Sequence, residues 1–315
     1  MKFLITGGAG FIGSHIVDEL LFLGEEIIVI DNFNTYYDPK IKWVNISNAQ
    51  KNPDFKLFEG DILDKKLLDE IFSSFNIDIL IHLAAQAGVR GSIKNPELYT
   101  EVNVMGTLNL LEMCKKYKIK KMIFGSSSSI YGNTPVPFNE NNIVDKPISP
   151  YAATKKAAEL LCYTYHHLYK IPVICLRFFT VYGPRQRPEM AIYKFTKLIN
   201  NNEPLPIYGD GNSSRDYTYI TDILDGIKSA IKKDLDFEII NLGSSDPIKL
   251  IDLVNLIQQK MDKKANLMFL PPQSGDVERT YADISKAERL LGYSPKVDIK
   301  DGIEKFVNWY LNQYS

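Results

Sequence analysis

The chain has 315 residues, 45% hydrophobic and 24% charged, the balance of a globular protein large enough for one α/β unit with a smaller partner. A formal net charge of −1 excludes a broad nucleic-acid footprint, so arginine clusters read as local sites. "MKFLITGG" is too short an apolar run for a signal peptide or anchor, and no later segment approaches spanning length. The three cysteines (Cys114, Cys162, Cys175) each lie in an apolar stretch without paired spacing, so reduced thiols and a cytoplasmic location are expected, and the sequons at Asn45 and Asn212 read as chance matches.

The first predicted strand, "KFLIT" (2–6), runs directly into "GGAGFIGSHIVDEL", whose glycines open a predicted helix over 11–23. Gly7, Gly10 and Gly13 have GxxGxxG spacing, with Gly8 added to the turn. Such a turn lets backbone N–H groups approach a pyrophosphate at a helix N-terminus. A glycine cluster alone is weak evidence, but this one lies between strand and helix, and Asp31 ends the second strand, "EIIVI" (26–30). A carboxylate there accepts ribose hydroxyls and repels a 2′-phosphate, which favours NAD over NADP. After the third strand, "FKLFE" (55–59), Asp61 is placed to meet the adenine edge or to cap a helix over 64–75.

Further strands follow at "DILIH" (78–82), "KMIFG" (121–125) and "VICLRF" (173–178), with a helix over 98–117. Strands apolar on both faces, alternating with helices, imply an α/β fold with a doubly wound parallel sheet. Beyond about residue 180 the rhythm loosens into a smaller, loop-rich region, expected over the carboxyl edge of the sheet. Within it, 219–231 and 237–243 still fit a helix and a strand of the first domain.

"SPYAATKKAAELL" sets Tyr151 and Lys155 four residues apart at a helix start, on one face. A free tyrosine has a pKa near ~10, too high for a base at neutral pH. An ammonium about 4 Å away contributes roughly 4 kcal/mol toward the phenolate at an effective dielectric of ~20. The tyrosine then serves as proton acceptor for a hydroxyl whose carbon gives up hydride. "FGSSSSIYG" supplies a hydroxyl at the end of the fifth strand, Ser127 first and Ser128 next. There is no GxSxG elbow, and the four histidines (His15, His82, His166, His167) lack ligand spacing, so neither a hydrolase triad nor a metal site is expected.

These residues, with "TGGAGFIG", "HLAAQAG", "LRFFTVYGPRQRP", "RDYTYI" and "GDVERTYADISKAERLLGY", resemble the extended short-chain dehydrogenase/reductase family over essentially the whole chain, in its nucleotide-sugar branch. The resemblance implies a Rossmann-type NAD-binding domain over 1–180, joined by about 218–243, and a UDP-sugar domain of 181–217 and 244–315. It implies cofactor contacts at Gly7, Gly10, Phe11, Ile12, Gly13, Asp31, Asn32, Asp61, Ile62, Leu83, Ala84 and Ala85, with Tyr151 and Lys155. It also implies homodimers, formed by packing the Tyr-Lys helix and its predecessor into a four-helix bundle.

Dehydratases of this branch carry an Asp-Glu pair where Ser128-Ser129 stand, so C4 epimerisation remains. Arg185 and Arg215 are candidates for the diphosphate and Asp276 for the uridine ribose, while Arg279 is as readily a structural ion pair. "DNFNTYYDPKIK" and "LRFFTVYGPRQRPEMA" look most like UDP-glucuronate 4-epimerases: Ser127, Ser128 and Thr180 would offer hydroxyls to a uronate carboxylate, and Arg187 a charge. "GPRQ" is shared with enzymes of neutral sugars, and Arg187 is alternatively a loop residue held through Glu189. UDP-glucose/UDP-galactose or N-acetylhexosamine epimerisation, uronate decarboxylation and a non-enzymatic NAD sensor are the competing expectations.

Overall fold

The computed structural model describes residues 1–271 and 277–314. Four strands, β1 (Lys2–Thr6), β2 (Glu26–Asp31), β3 (Phe55–Glu59) and β4 (Ile79–His82), lead in turn into helices α1 (Phe11–Phe22), α2 (Pro39–Ile46), α3 (Lys65–Ser74) and α4 (Val89–Lys94). Next, α5 (Pro96–Thr100) passes through a π-helical turn at Glu101–Met105 into α6 (Gly106–Tyr117). The run closes with β5 (Lys121–Ser127), α7 (Pro150–Tyr169) and β6 (Val173–Phe178). Beyond it come β7 (Thr180–Tyr182), α8 (Ala191–Asn200), β8 (Pro204–Tyr208), β9 (Ser214–Tyr219), α9 (Ile220–Lys232) and β10 (Phe237–Leu242). The last elements are β11 (Pro247–Lys249), α10 (Leu250–Met261), β12 (Asn266–Leu270), α11 (Ser285–Leu291) and α12 (Ile299–Tyr314).

The chain forms two compact units. The first comprises Met1–Gly132, Ile143–Arg177 and Ile227–Ile240; the second comprises Asn133–Asn142, Phe178–Gly226 and Asn241–Ser315.

The first unit is built on a seven-stranded parallel sheet in the order β10-β6-β5-β4-β1-β2-β3. β1 lies at the reversal of strand order, paired with β2 through Phe3↔Ile27 and with β4 through Phe3↔Ile79. Phe3, Leu4, Ile5, Val29 and Ile30 are fully buried, as expected for strands covered on both faces. This is the doubly wound arrangement that the strand–helix alternation implied, and its reversal point is where such sheets take ligands. Two local features differ from expectation. The helix read over 98–117 is interrupted by the π-helical turn, and β5 runs on to include Ser126 and Ser127.

One ionic node joins β5, β6 and α7. The Glu159 carboxylate on α7 accepts Arg177 Nε and Nη2 from β6, each at 2.9 Å, and Ser126 Oγ from β5 at 2.7 Å. Arg177 Nη1 also donates to the Tyr131 hydroxyl at 2.8 Å. Both charged side chains are 1% exposed.

In the second unit β9 is central to a three-stranded sheet, parallel to β7 and antiparallel to β11, while β8 and β12 form a parallel pair. Asp216 anchors β9: its buried carboxylate accepts Ser244 N and Oγ at 2.8 Å, and Ser245 N and Ala282 N at 3.0 Å.

Arg177→Met should destabilise the protein by about 3 kcal/mol in urea unfolding, because it leaves the Glu159 charge in the core with Lys156 Nζ at 3.5 Å as its remaining cation. Arg177→Met with Glu159→Leu should recover most of that loss, since the poorly compensated buried charge is then gone.

Candidate active site

The glycine turn is shaped by contacts that no side chain would permit. Gly7 has φ +70°, and a Cβ there would lie 2.7 Å from Ala84 N. A Cβ on Gly13 would lie 2.1 Å from Gly7 O, so glycine is required for α1 to approach β1. Gly10 is the N-cap of α1 and caps it with no side chain, which leaves the first-turn N–H groups to an anion such as pyrophosphate. Phe11 is buried and Ile12 half-buried beside them. Leu83, Ala84 and Ala85 follow β4; Leu83 N donates to Thr6 O at 3.1 Å and Ala84 N to Thr6 Oγ1 at 3.2 Å.

Asp31 is buried at the end of β2, where Oδ2 accepts Ala9 N at 3.1 Å and Oδ1 accepts Phe33 N at 3.0 Å. Asn32 Nδ2 donates to Asp61 Oδ2 at 2.7 Å, and Asp61 Oδ1 accepts Leu63 N at 2.9 Å. The helix-cap alternative for Asp61 is corrected: Asp64 caps α3, accepting Lys66 N and Leu67 N. Ile62 is buried against Gly106, where a Cβ would come within 2.4 Å of Ile62 Cδ1.

The chemical residues stand on α7 and at the end of β5. Ser149 caps α7 through Ala152 N, Pro150 takes the first helical position, and Tyr151 follows it at the positive end of the helix dipole. Lys155, one turn on, is 4% exposed and donates to Gly125 O at 2.7 Å. Burial pushes its pKa down to about 8, against the opposing pull of Cys162, Glu159 and Cys175. Ser127 Oγ accepts both Ser129 N (3.2 Å) and Ser129 Oγ (2.9 Å), so its own proton is the part left to offer. Ser128 opens the 3₁₀ turn Ser128–Tyr131 and is half-buried.

Sequence reasoning missed the residues that hold this set. Asn103, in the π-helical turn, donates through Nδ2 to Gln86 O and Thr154 Oγ1, both at 3.0 Å, and accepts Gln86 N at 2.8 Å. Thr154 Oγ1 donates in turn to Tyr151 O at 2.9 Å. His82 bridges Thr6 Oγ1 (2.7 Å) and Thr107 Oγ1 (3.0 Å), and burial lowers its pKa to about 3, so it is neutral. The available signal was "NVMGT": Asn103 and Thr107 are polar, four apart, on the apolar side of a helix.

In the second unit Thr180 begins β7 and pairs with Tyr217; Arg215, two residues earlier on β9, lies on the same strand face as Tyr217. Arg215 Nη1 donates to Ser214 O at 2.9 Å and to Glu278 O at 3.3 Å, which orients its guanidinium. Gln186 is buried and pins the 183–190 loop, donating to Gly183 O and Val181 O at 3.1 Å. Arg185, just before it, takes φ +63°, an uncommon conformation for a non-glycine residue. Arg187 pairs with Glu189, Nε to Oε1 at 3.3 Å. Arg279 is exposed, its guanidinium 5.5 Å from the Tyr281 ring. Asp276 lies outside the described residues. Among those residues no group of three or more His, Cys, Asp or Glu is arranged to hold a metal, and no helix is long and apolar enough to cross a membrane.

The family model for GDP-mannose 4,6 dehydratase matches residues 4–306. A UDP-glucuronate 4-epimerase of Thermodesulfobacterium geofontis is 45% identical over 308 residues, covering 98% of this chain and 95% of the relative. The solved UDP-glucuronic acid 4-epimerase from Bacillus cereus, in complex with UDP-glucuronic acid and NAD, superposes with a TM-score of 0.94 at 39% identity, over 100% of both chains. The UDP-glucose 4-epimerase of Thermotoga maritima, with UDP-glucose, gives 0.93 at 33% identity, also over 100% of both.

Lys155 carries a pH signature. Its folded pKa of about 8 lies below the ordinary 10.5, so between those values the unfolded chain binds more protons at this group and its contribution to stability rises with pH, while the buried thiols of Cys114 and Cys175, raised by burial, pull the other way. Below that window the native state bears the whole cost of the buried charge, on the order of 3 kcal/mol at about 1.36 kcal/mol per pKa unit. The stability of Lys155→Met relative to the unsubstituted chain should therefore fall by about 2–3 kcal/mol between about pH 7 and about pH 10, as read from urea unfolding of both.

Proposed function

We propose that this chain, which belongs to the GDP-mannose 4,6-dehydratase family of extended short-chain dehydrogenases/reductases, is an NAD-dependent epimerase that converts UDP-glucuronate to UDP-galacturonate at C4 through a transient 4-keto sugar. The observation that carries the reading is the Ser127, Tyr151 and Lys155 set on a glycine-turn unit, with serines rather than an acid pair at 128 and 129.

The dinucleotide fits the chain's own geometry: Gly7, Gly10 and Gly13 leave room for pyrophosphate at an N-terminus without a side-chain cap, and Asp31 takes the ribose hydroxyls. When bound, NAD supplies the acceptor for hydride from C4 and returns it to the opposite face. Tyr151 takes the C4 hydroxyl proton and gives it back after the ring has turned. Lys155, whose ammonium is held at Gly125 O, stabilises the phenolate, and Ser127 donates its proton to the C4 oxygen. Without a carboxylic acid at 128–129, no proton is delivered to a leaving hydroxyl, and elimination is not served.

Arg185 and Arg215 are assigned to the diphosphate, Asp276 to the uridine ribose, and Ser128, Thr180 and Arg187 to the uronate carboxylate. The protein is further inferred to be a cytoplasmic homodimer joined through α6 and α7. Free cysteines support the location, and the exposed apolar Leu160 and Leu168 on α7, with Met105 in the π-helical turn that leads into α6, support the dimer.

A second reading keeps the reaction but takes UDP-glucose or an N-acetylhexosamine. It is favoured by the Arg187–Glu189 pair, which supplies the arginine with an acid of its own.

Purified protein offered UDP-glucuronate, UDP-glucose and UDP-N-acetylglucosamine should epimerise the uronate fastest, without CO₂ release. Rapid turnover of UDP-glucose with none of the uronate would establish the second reading, and no turnover of any would leave a binding protein. Tyr151→Phe should lower kcat about 10²–10⁴-fold, the usual worth of a general acid–base group. Thr180→Asn with Arg187→Asp should slow the uronate about tenfold or more, as expected for lost charge-assisted hydrogen bonds, and leave UDP-glucose nearly unchanged.

A further inference from the structure

The face of α2 nearest the glycine turn carries a positive charge beside Asp31. Asn45 Nδ2 donates to Ala9 O at 3.1 Å, and Ala9 N donates to Asp31 Oδ2 at 3.1 Å, so α2 and β2 grip the same turn residue. Three residues before Asn45, Lys42 Nζ lies 3.5 Å from Asp31 Oδ1. It also donates to Asn34 Oδ1 at 3.3 Å and lies 5.3 Å from the centre of the Tyr37 ring. The Lys42 and Asp31 side chains are 7% and 5% exposed, so this is a buried ion pair and not a solvated surface contact.

We propose that Lys42 is a specificity-determining residue of the adenosine-ribose subsite, which it converts from a bare anion into a paired acceptor and donor. A lone carboxylate rejects a 2′-phosphate by net charge. With an ammonium 3.5 Å away, the net charge of the pair is near zero, and rejection falls to the carboxylate oxygens alone. Behind them stands a cation with the chemistry to meet a phosphate. Asp31 therefore masks a latent site for a 2′-phosphorylated dinucleotide, and Lys42 is what makes it latent instead of absent. The same ammonium supports ordinary NAD binding by holding the Asp31 carboxylate in place as an acceptor.

The inference rests on the dinucleotide reading of the glycine turn, and the test separates the two. The full chain, freed of co-purified dinucleotide, is titrated with NAD⁺ and with NADP⁺, and binding is followed by calorimetry and thermal shift. If the unsubstituted chain binds neither, both readings fall together. If it binds NAD⁺, Asp31→Asn should shift the NADP⁺/NAD⁺ affinity ratio toward NADP⁺ by about tenfold or more, and Asp31→Asn with Lys42→Met should lose most of that gain. An equal gain with and without Lys42 would overturn the proposal, because relief of repulsion alone would then explain it. Should the Asp31 variants fail to fold, the Lys42 variants decide. Lys42→Met should weaken NAD⁺ about tenfold while Lys42→Arg stays within about threefold, and unchanged NAD⁺ binding in Lys42→Met overturns the proposal.

Discussion

The site of the first unit depends on the buried carboxylate of Glu159. It lies one turn beyond Lys155 and two beyond Tyr151 on α7, and it meets Ser126 of β5 and Arg177 of β6 in one hydrogen-bonded node. Ser126 immediately precedes Ser127, so the node sets the register of the strand that presents the hydroxyl against the helix that presents the phenol. Against an apolar replacement, such a pair gains little stability. What it supplies is direction: the guanidinium fork donates to the carboxylate in one plane only, and slipping either element by a residue would pull the two buried charges apart.

A second clamp works from the opposite side of α7. The π-helical turn at Glu101–Met105 widens the helix where Asn103 reaches both the backbone after β4 and Thr154. Gln86 N and O are both satisfied by Asn103, and Thr154 passes the connection to Tyr151 O. The segment that borders the glycine turn and the helix that carries Tyr151 are thus tied through one amide. An irregular turn inside a helix is costly unless its groups find partners, and here they do.

The strands were legible because parallel strands covered on both faces read as continuous apolar runs bounded by turn residues. The glycine turn and the Tyr151–Lys155 spacing were legible because their geometry is local. Glu159, Arg177 and Lys42 were not, since charged residues are ordinarily exposed and their burial depends on partners remote in sequence. Asn133–Asn142 clusters with the second unit for the same kind of reason. Phe138 N donates to Tyr281 O, and Phe138 O accepts Asp283 N and Asn241 Nδ2, pairings that no local pattern announces.

Arg187 shows how a contact found in the structure changes the weight of a sequence argument. Read alone, a guanidinium in "GPRQRPEMA" asks for an anion, and a uronate answers. Paired with Glu189 at 3.3 Å and 21% exposed, it already has one. A pair this open is worth roughly 0–1 kcal/mol, so Glu189 can leave Arg187 at little cost. The pair therefore neither demands a further anion at Arg187 nor shuts one out. Ser127 differs: both of its acceptor sites are filled by Ser129, so the fold itself fixes the direction in which its proton is offered.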